Sequence, residues 1–218
     1  MKYLGPPCSG SIQALTYSRN RFGQYQRNRS TPVNPGTVPQ LNQRSRMSAS
    51  AAAWRALTDV QRAGWESLGL MIQRTDALGQ TYSLNGFEAY CSVNIAKQVV
   101  GDAVVAAAPA LATPADVDTA TITLTAAAFS IAYTPTPLAA GTRLLIFVSP
   151  QRSAGRQFEG DYRLIAFTAA AAASPADIFT AYSARLGTPV VGNRIFVKLI
   201  PYFGGFVGAP FGVAQLVV

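Results

Sequence analysis

The sequence predicts an α+β protein built from an extended basic N-terminal arm with a hairpin, a small helical unit, and a C-terminal antiparallel β-sandwich of immunoglobulin or fibronectin-like architecture. Three observations predict it. Residues 1–50 carry Lys2, Arg19, Arg21, Arg27, Arg29, Arg44 and Arg46 with no acid, among turn-forming Asn, Gly and Pro. From Leu41 to Val99 apolar side chains recur three and four residues apart, interrupted by helix-start chemistry. Beyond residue 119, short β-branched and aromatic runs alternate with Gly, Pro and Asn. The expected domains are the arm at 1–35, the helical unit at 36–101, a linker at 102–118 and the β-sandwich at 119–218.

A chain of 218 residues can bury more than one core. Charged residues make up only 13% of it, against roughly 25% in ordinary soluble domains. So sparse a charge over so much surface fits a surface partly covered by another chain. The net charge of +8 belongs to the N-terminal part, because from residue 77 onward eight Lys or Arg face seven Asp or Glu. That basic part can meet phosphates or an acidic protein surface, or simply be solvated.

In the arm, Ile12, Ala14 and Thr16 alternate with polar positions, and residues 20–23 have turn chemistry, so a small β-hairpin is expected over 10–29. An isolated hairpin is marginal in water and needs a neighbour to lie on. Arg19, Arg21, Phe22, Tyr25, Arg27 and Arg29 interleave cations with aromatic rings and form the candidate partner-binding set. Pro32, Pro35 and Pro39 then hold the chain extended as a stiff linker.

Leu41, Arg44, Met47, Ser48, Ala51, Trp54 and Leu57 form one stripe of a first helix that ends before Thr58. Thr58 followed by Gln61 is a capping-box pattern, so a second helix starts at Asp59, with Val60, Gly64, Trp65, Leu68, Met71 and Ile72 facing inward. Residues 76–84 read as a polar loop. A third helix begins at Asn85-Gly86, lines Phe87, Tyr90, Cys91, Asn94, Ile95 and Val99 along one face, and stops at Gly101. Trp54, Leu57, Trp65, Leu68, Phe87 and Tyr90 are the expected core of this unit, with a base-stacking platform as the functional alternative for the tryptophans.

Residues 102–118 are rich in Ala, Val, Pro and Asp without a clear period, which marks a boundary. Residues 121–133 follow a two-residue rhythm broken near Ala127 and give two strands or one bulged strand. The runs at 144–148, 162–167, 194–200 and 211–218 add further strands. Residues 150–160 form a polar loop, and 176–186 form a short helix crossing between sheets. The alanine tract at 169–173 is too short to define a class.

Little in the sequence points to catalysis. Histidine is absent, which removes His-based triads and the default general base. Asp116 with Asp118 and Glu159 with Asp161 are the only close carboxylate pairs, and they read as solvated loop acids. Gly204, Gly205 and Gly208 lack the Lys and following helix of a phosphate cradle and read as a turn. No motif calls for a cofactor or metal. Cys8 and Cys91 lie in segments of different type and fit unreacted thiols made in a reducing interior. The first ten residues lack the apolar core of a secretory signal, and prolines and glycines break the uncharged last 20 residues, so no membrane span is expected.

Several short motifs carry a resemblance. They are Asn34-Pro-Gly-Thr37, Gln40, Arg44, the stretch Trp54-Arg-Ala-Leu-Thr-Asp-Val-Gln-Arg-Ala-Gly-Trp65, and Gly86-Phe-Glu-Ala-Tyr90 with Asn94. The chain resembles, over about residues 5–218, a family of uncharacterised proteins carried by tailed bacteriophages and prophages. In that family an Asn-Pro-x-Thr linker precedes a Trp-x-x-Leu-Thr helical hairpin and a β-rich domain follows. Gly36 stands where the family has a basic residue. The resemblance implies a non-enzymatic virion structural role and supplies no catalytic residues. The expected protein is a capsid-associated decoration or auxiliary protein, made in the host cytoplasm and located in the virion. It would assemble with copies of itself and with other virion proteins such as the major capsid or connector protein. The competing readings are a DNA-binding protein gripping nucleic acid with the basic arm and helical unit, and a tail or adhesion component using the loop at 150–160.

Overall fold

The structure is a computed structural model that describes residues 5–6, 8–76 and 78–218. Lys2 of the basic arm lies outside the described residues. The contacts divide the chain into two compact units, Met1–Gln43 and Arg44–Val218.

The first unit is a three-stranded antiparallel meander of β1 (Gly10–Ile12), β2 (Leu15–Asn20) and β3 (Gly23–Asn28). Asn20 pairs with Gly23, and the Asn20 side-chain oxygen accepts from the Phe22 N–H at 2.9 Å, an Asx turn at the expected place. The alternation from Ile12 to Thr16 is not one strand, however. Gln13 takes a positive φ of 51°, and Ile12 folds back to pair with Leu15, so a third strand precedes the hairpin. Pro39 also differs from its linker assignment: it sits in the first turn of helix α1 (Val38–Arg55), where a missing N–H costs nothing.

In the second unit, α2 (Asp59–Met71) starts as its capping box requires: Gln61 N–H donates to Thr58 Oγ1 at 3.3 Å and Thr58 N–H to Gln61 Oε1 at 2.9 Å. Helix α3 (Gly86–Val100) repeats the device with Asn85 and Glu88 and ends at Gly101, whose φ is +78°. Residues 76–84 are not simply a loop. β4 (Gln73–Thr75) and β5 (Thr81–Ser83) form a hairpin whose turn is tied by Asp76 Oδ1, which accepts from the N–H groups of Leu78 and Gln80.

The remaining strands are β6 (Thr119–Leu124), β7 (Phe129–Thr134), β8 (Arg143–Val148), β9 (Arg163–Phe167), β10 (Ala176–Asp177), β11 (Arg194–Phe203), β12 (Phe206–Val207) and β13 (Phe211–Leu216), with α4 (Phe179–Leu186) before β11. They make a three-stranded sheet β10-β7-β6 and a five-stranded sheet β12-β11-β8-β9 in which β13 also pairs with β11, all antiparallel. Residues 121–133 are therefore two strands. The fold is α+β, with four helices among the described residues.

Strands β8 and β11 are covered on both faces. Leu144, Ile146 and Val148 of β8 join Ile195, Val197 and Leu199 of β11 in a core shared with Leu124, Phe129 and Ile131 of the three-stranded sheet and Tyr182 of α4. Leu145 and Tyr202 point the other way and pack with Val100 of α3. This double coverage explains the unbroken apolar run at 144–148, which lacks the alternation of a half-exposed strand.

Burial on α3 likewise extends beyond the expected stripe, to Ala89, Val93 and Val100, because the helix packs against α2 on one side and the five-stranded sheet on the other. Two expected core residues of α2 fall outside: Val60 is 83% exposed and Met71 62%. They lie in the first and last turns of the helix. The segment 102–118 has no helix or strand and belongs to the second unit. Val117 enters the core between the sheets, and Val105 and Ala108 pack on the helices.

Glycine is required where the β11–β12 hairpin meets α3. Gly204 and Gly205 have φ of +59° and +105°, and a Cβ on Gly205 would lie 2.5 Å from Val93 Cγ1 and 3.0 Å from the Val93 carbonyl oxygen. Gly205→Ala should destabilise the second unit by about 2 kcal/mol in urea unfolding, whereas Gly155→Ala, with open space around it, should change stability by under about 0.5 kcal/mol.

Candidate functional site

The arm residues occupy a narrow ribbon. Pairing of Arg19 with Gln24 and of Thr16 with Arg27 places Arg19 and Arg27 on opposite faces, since residues three apart in a strand alternate sides. Tyr25 shares the face of Arg27, Arg21 and Phe22 form the turn, and Arg29 follows β3 at the base, its N–H donating to the Ala14 carbonyl at 2.7 Å. The Arg21 guanidinium lies over the Phe22 ring, 4.6 Å from its centroid, and Phe22 itself is 74% exposed. The six residues thus spread over two faces and a tip. No carboxylate precedes Asp59 in the sequence, so the arginines have no acid on their own unit.

The six helical-unit residues do converge. Leu57, Trp65, Leu68 and Tyr90 are buried in one cluster, with Trp54 and Phe87 packed half-buried against it. Tyr90 is the hub: its ring centroid lies 5.5 Å from that of Trp54 and 5.2 Å from that of Trp65, the latter edge to face. Burial pushes the Tyr90 phenol and the Cys91 thiol up, so both stay protonated at neutral pH, and Cys91 is no activated nucleophile. Cys8 and Cys91 are both free thiols.

Two of the signature residues pin the crossing segment. Trp65 Nε1 donates to the Ala106 carbonyl at 2.7 Å. Fully buried Asn94 clamps Val105 from both sides, its Nδ2 donating to the carbonyl at 3.1 Å and its Oδ1 accepting from the N–H at 2.9 Å. Both motif positions thus have a structural duty in which polar backbone is satisfied away from water. Beyond the cluster, α1, the β4–β5 hairpin and α3 frame an open groove of about 440 Å³ lined by Met47, Tyr82, Leu84, Phe87, Cys91 and Ile95, with Arg74 and Glu88.

The acid pair at 159 and 161 departs from its solvated reading. Glu159 is only 4% exposed and is held by the Arg152 Nε–H, by Arg156 at 3.3 Å and by the N–H groups of Gly160 and Asp161. The hydrogen bond from Arg152 leads in lowering its carboxyl to about 2. Sequence spacing could not show this pairing, because the loop must close before positions seven apart meet. Among the described residues no group of three or more Cys, Asp or Glu is placed to hold a metal ion.

The chain matches no protein-family model, no curated protein and no solved structure with which it was compared.

Replacing Asn94 by Ala strands both backbone groups of Val105 and should cost about 2–3 kcal/mol in chemical unfolding, with faster amide exchange at Val105. Because the Glu159 carboxyl is depressed in the folded state, its contribution is complete above an unfolded value near 4.5 and is lost as pH falls toward about 2. Thermal unfolding followed across that window should show the wild-type protein losing its advantage over Glu159→Gln as pH drops.

Proposed function

We propose that this chain is a non-enzymatic structural subunit of a tailed-phage particle, working through assembly contacts. One observation carries the reading. None of the described residues of the first unit is buried, either in its three-stranded sheet or in the linker and first turns of α1 that it includes. A sheet of short strands with none of its described residues buried is marginal alone, and among the described residues β1 and β3 each leave an edge without a strand partner. Such an arm is suited to a neighbouring subunit, either lying on it or adding a strand to its sheet.

The second unit buries its own cores and needs no such help. Its two antiparallel sheets around one core are consistent with a sandwich of immunoglobulin or fibronectin-like architecture, although the Cys and Trp marks of an immunoglobulin domain are missing. The low charge content and the linker and helical-hairpin motifs support a virion structural role, within which we assign the chain to the capsid as a decoration or auxiliary protein and not to the tail. On this reading the protein is made in the host cytoplasm and resides in the virion, and its partners are copies of itself and the major capsid or connector protein.

Deleting residues 1–35 tests this. The shortened chain should keep the thermal transition of the second unit and be missing from purified particles when co-expressed with the other virion genes. Incorporation at the normal level would overturn the proposal.

A further inference from the structure

The three-stranded part of the arm ends early. β1 pairs with β2 only over Gly10 to Tyr17 and Ile12 to Leu15, so beyond Tyr17 the arm is a two-stranded ribbon of three residue pairs closed by Arg21 and Phe22. That distal ribbon is roughly 10 Å long at strand spacing. Arg19 projects from one face of this ribbon and Arg21 and exposed Phe22 occupy its tip, while Arg27, opposite Thr16, lies at its base in the three-stranded part and projects from the other face.

A flat acidic protein surface meets one face of a ribbon and leaves the other in water. A duplex groove meets both. The major groove of B-form DNA, about 12 Å wide and about 8.5 Å deep, admits a two-stranded β-ribbon and has phosphates along both walls. Arg19 on the inserted ribbon then faces one wall, Arg27 at the base on the other face reaches the rim of the opposite wall, and an apolar ring at the tip reaches the base edges, where it can contact a thymine methyl group. The A-form duplex of RNA has a major groove too narrow for such an insert. Residues 44–218 carry thirteen Lys or Arg against ten Asp or Glu, so the second unit taken as a whole is not acidic.

We infer that the β2–β3 ribbon inserts into the major groove of duplex DNA, with Arg19 and Arg27 contacting phosphates on opposite walls, Arg21 and Arg29 adding contacts at tip and base, and Phe22 facing the bases. The inference rests on the reading that the arm works by contacts within the particle, and adds duplex DNA as the contact of the distal ribbon beside the subunit that takes the sheet edges.

The test is fluorescence anisotropy of the full-length protein with a short labelled duplex of mixed sequence. Four phosphate contacts give a slope of log affinity against log salt near −3.6, a loss of roughly 150-fold between about 50 and about 200 mM salt. Arg19→Ala and Arg27→Ala should each flatten that slope by about 1. Phe22→Ala should weaken binding about tenfold with the slope unchanged. The combined R19A/R21A/R27A/R29A variant should show no measurable binding while keeping the wild-type thermal transition of the second unit.

Absence of binding at low salt overturns the inference, as does wild-type binding by the fourfold variant. A salt slope that responds to Arg19 but not to Arg27, or the reverse, overturns insertion, because only one face is then engaged. Equal affinity for polyglutamate and DNA assigns the arm to an acidic protein surface instead. If any of these results is obtained while the chain lacking residues 1–35 still fails to enter particles, the assembly reading stands and only the DNA assignment falls.

Discussion

Helix α3 packs one side on Trp65 and Leu68 of α2 and the other on Leu145 and Tyr202 of the five-stranded sheet. A helix buried from two directions must be apolar nearly all round and must begin and end at fixed points, because a shift of one turn would disturb both contacts at once. Its ends meet that demand. The Asn85 and Glu88 capping box fixes the start, and Gly101 in the left-handed region fixes the stop. Just beyond, Asp102 joins Arg143 at 3.0 Å and accepts from the Tyr202 hydroxyl at 2.9 Å, while Arg143 also donates to the last-turn carbonyl of Val100 at 3.2 Å. A cation on the C-terminal carbonyl complements the helix dipole and fastens the helix to both central strands.

The backbone between helix and sheet follows from the same constraint. A chain leaving α3 has to cross the helical layer before it can enter β6, and it carries unpaired backbone groups along an apolar surface. Asn94 and Trp65 satisfy those groups at Val105 and Ala106. The tryptophan therefore has two duties, filling the core with its ring and binding the crossing segment with its N–H, and neither leaves its face open for stacking a base.

What could be seen in the sequence was whatever is local. Caps depend on residues three apart, so the starts of α2 and α3 and the stop at Gly101 were legible, as was the turn after Asn20. Periodicity located the helices but overstated their inner faces: Val60 satisfies the spacing but lies in the first turn of its helix and stays in water. The strands β4 and β5 were hidden because three polar residues each carry no hydrophobic alternation, and their pairing rests on a side-chain-capped turn at Asp76. The break in the arm at Gln13 was hidden for a different reason. A positive φ in a residue other than Gly has no composition signal, so a meander and a longer strand look alike until the backbone is seen.

The charge asymmetry of the chain has a physical consequence of its own. Ordering a backbone residue costs about 1–2 kcal/mol, and a sheet that buries none of its described residues recovers little of that from itself. Arginines without a carboxylate on their own unit add mutual repulsion, which a polyanion removes and a neutral surface does not. Contact with a dense array of negative charge therefore supplies two terms at once, covering the sheet and relieving the repulsion, and the second weakens as salt rises. The second unit has thirteen basic residues balanced by ten acids and three hydrophobic clusters, so it gains nothing comparable from such a partner. On that physics, salt should act on the arm's contacts and leave the fold of the second unit nearly untouched.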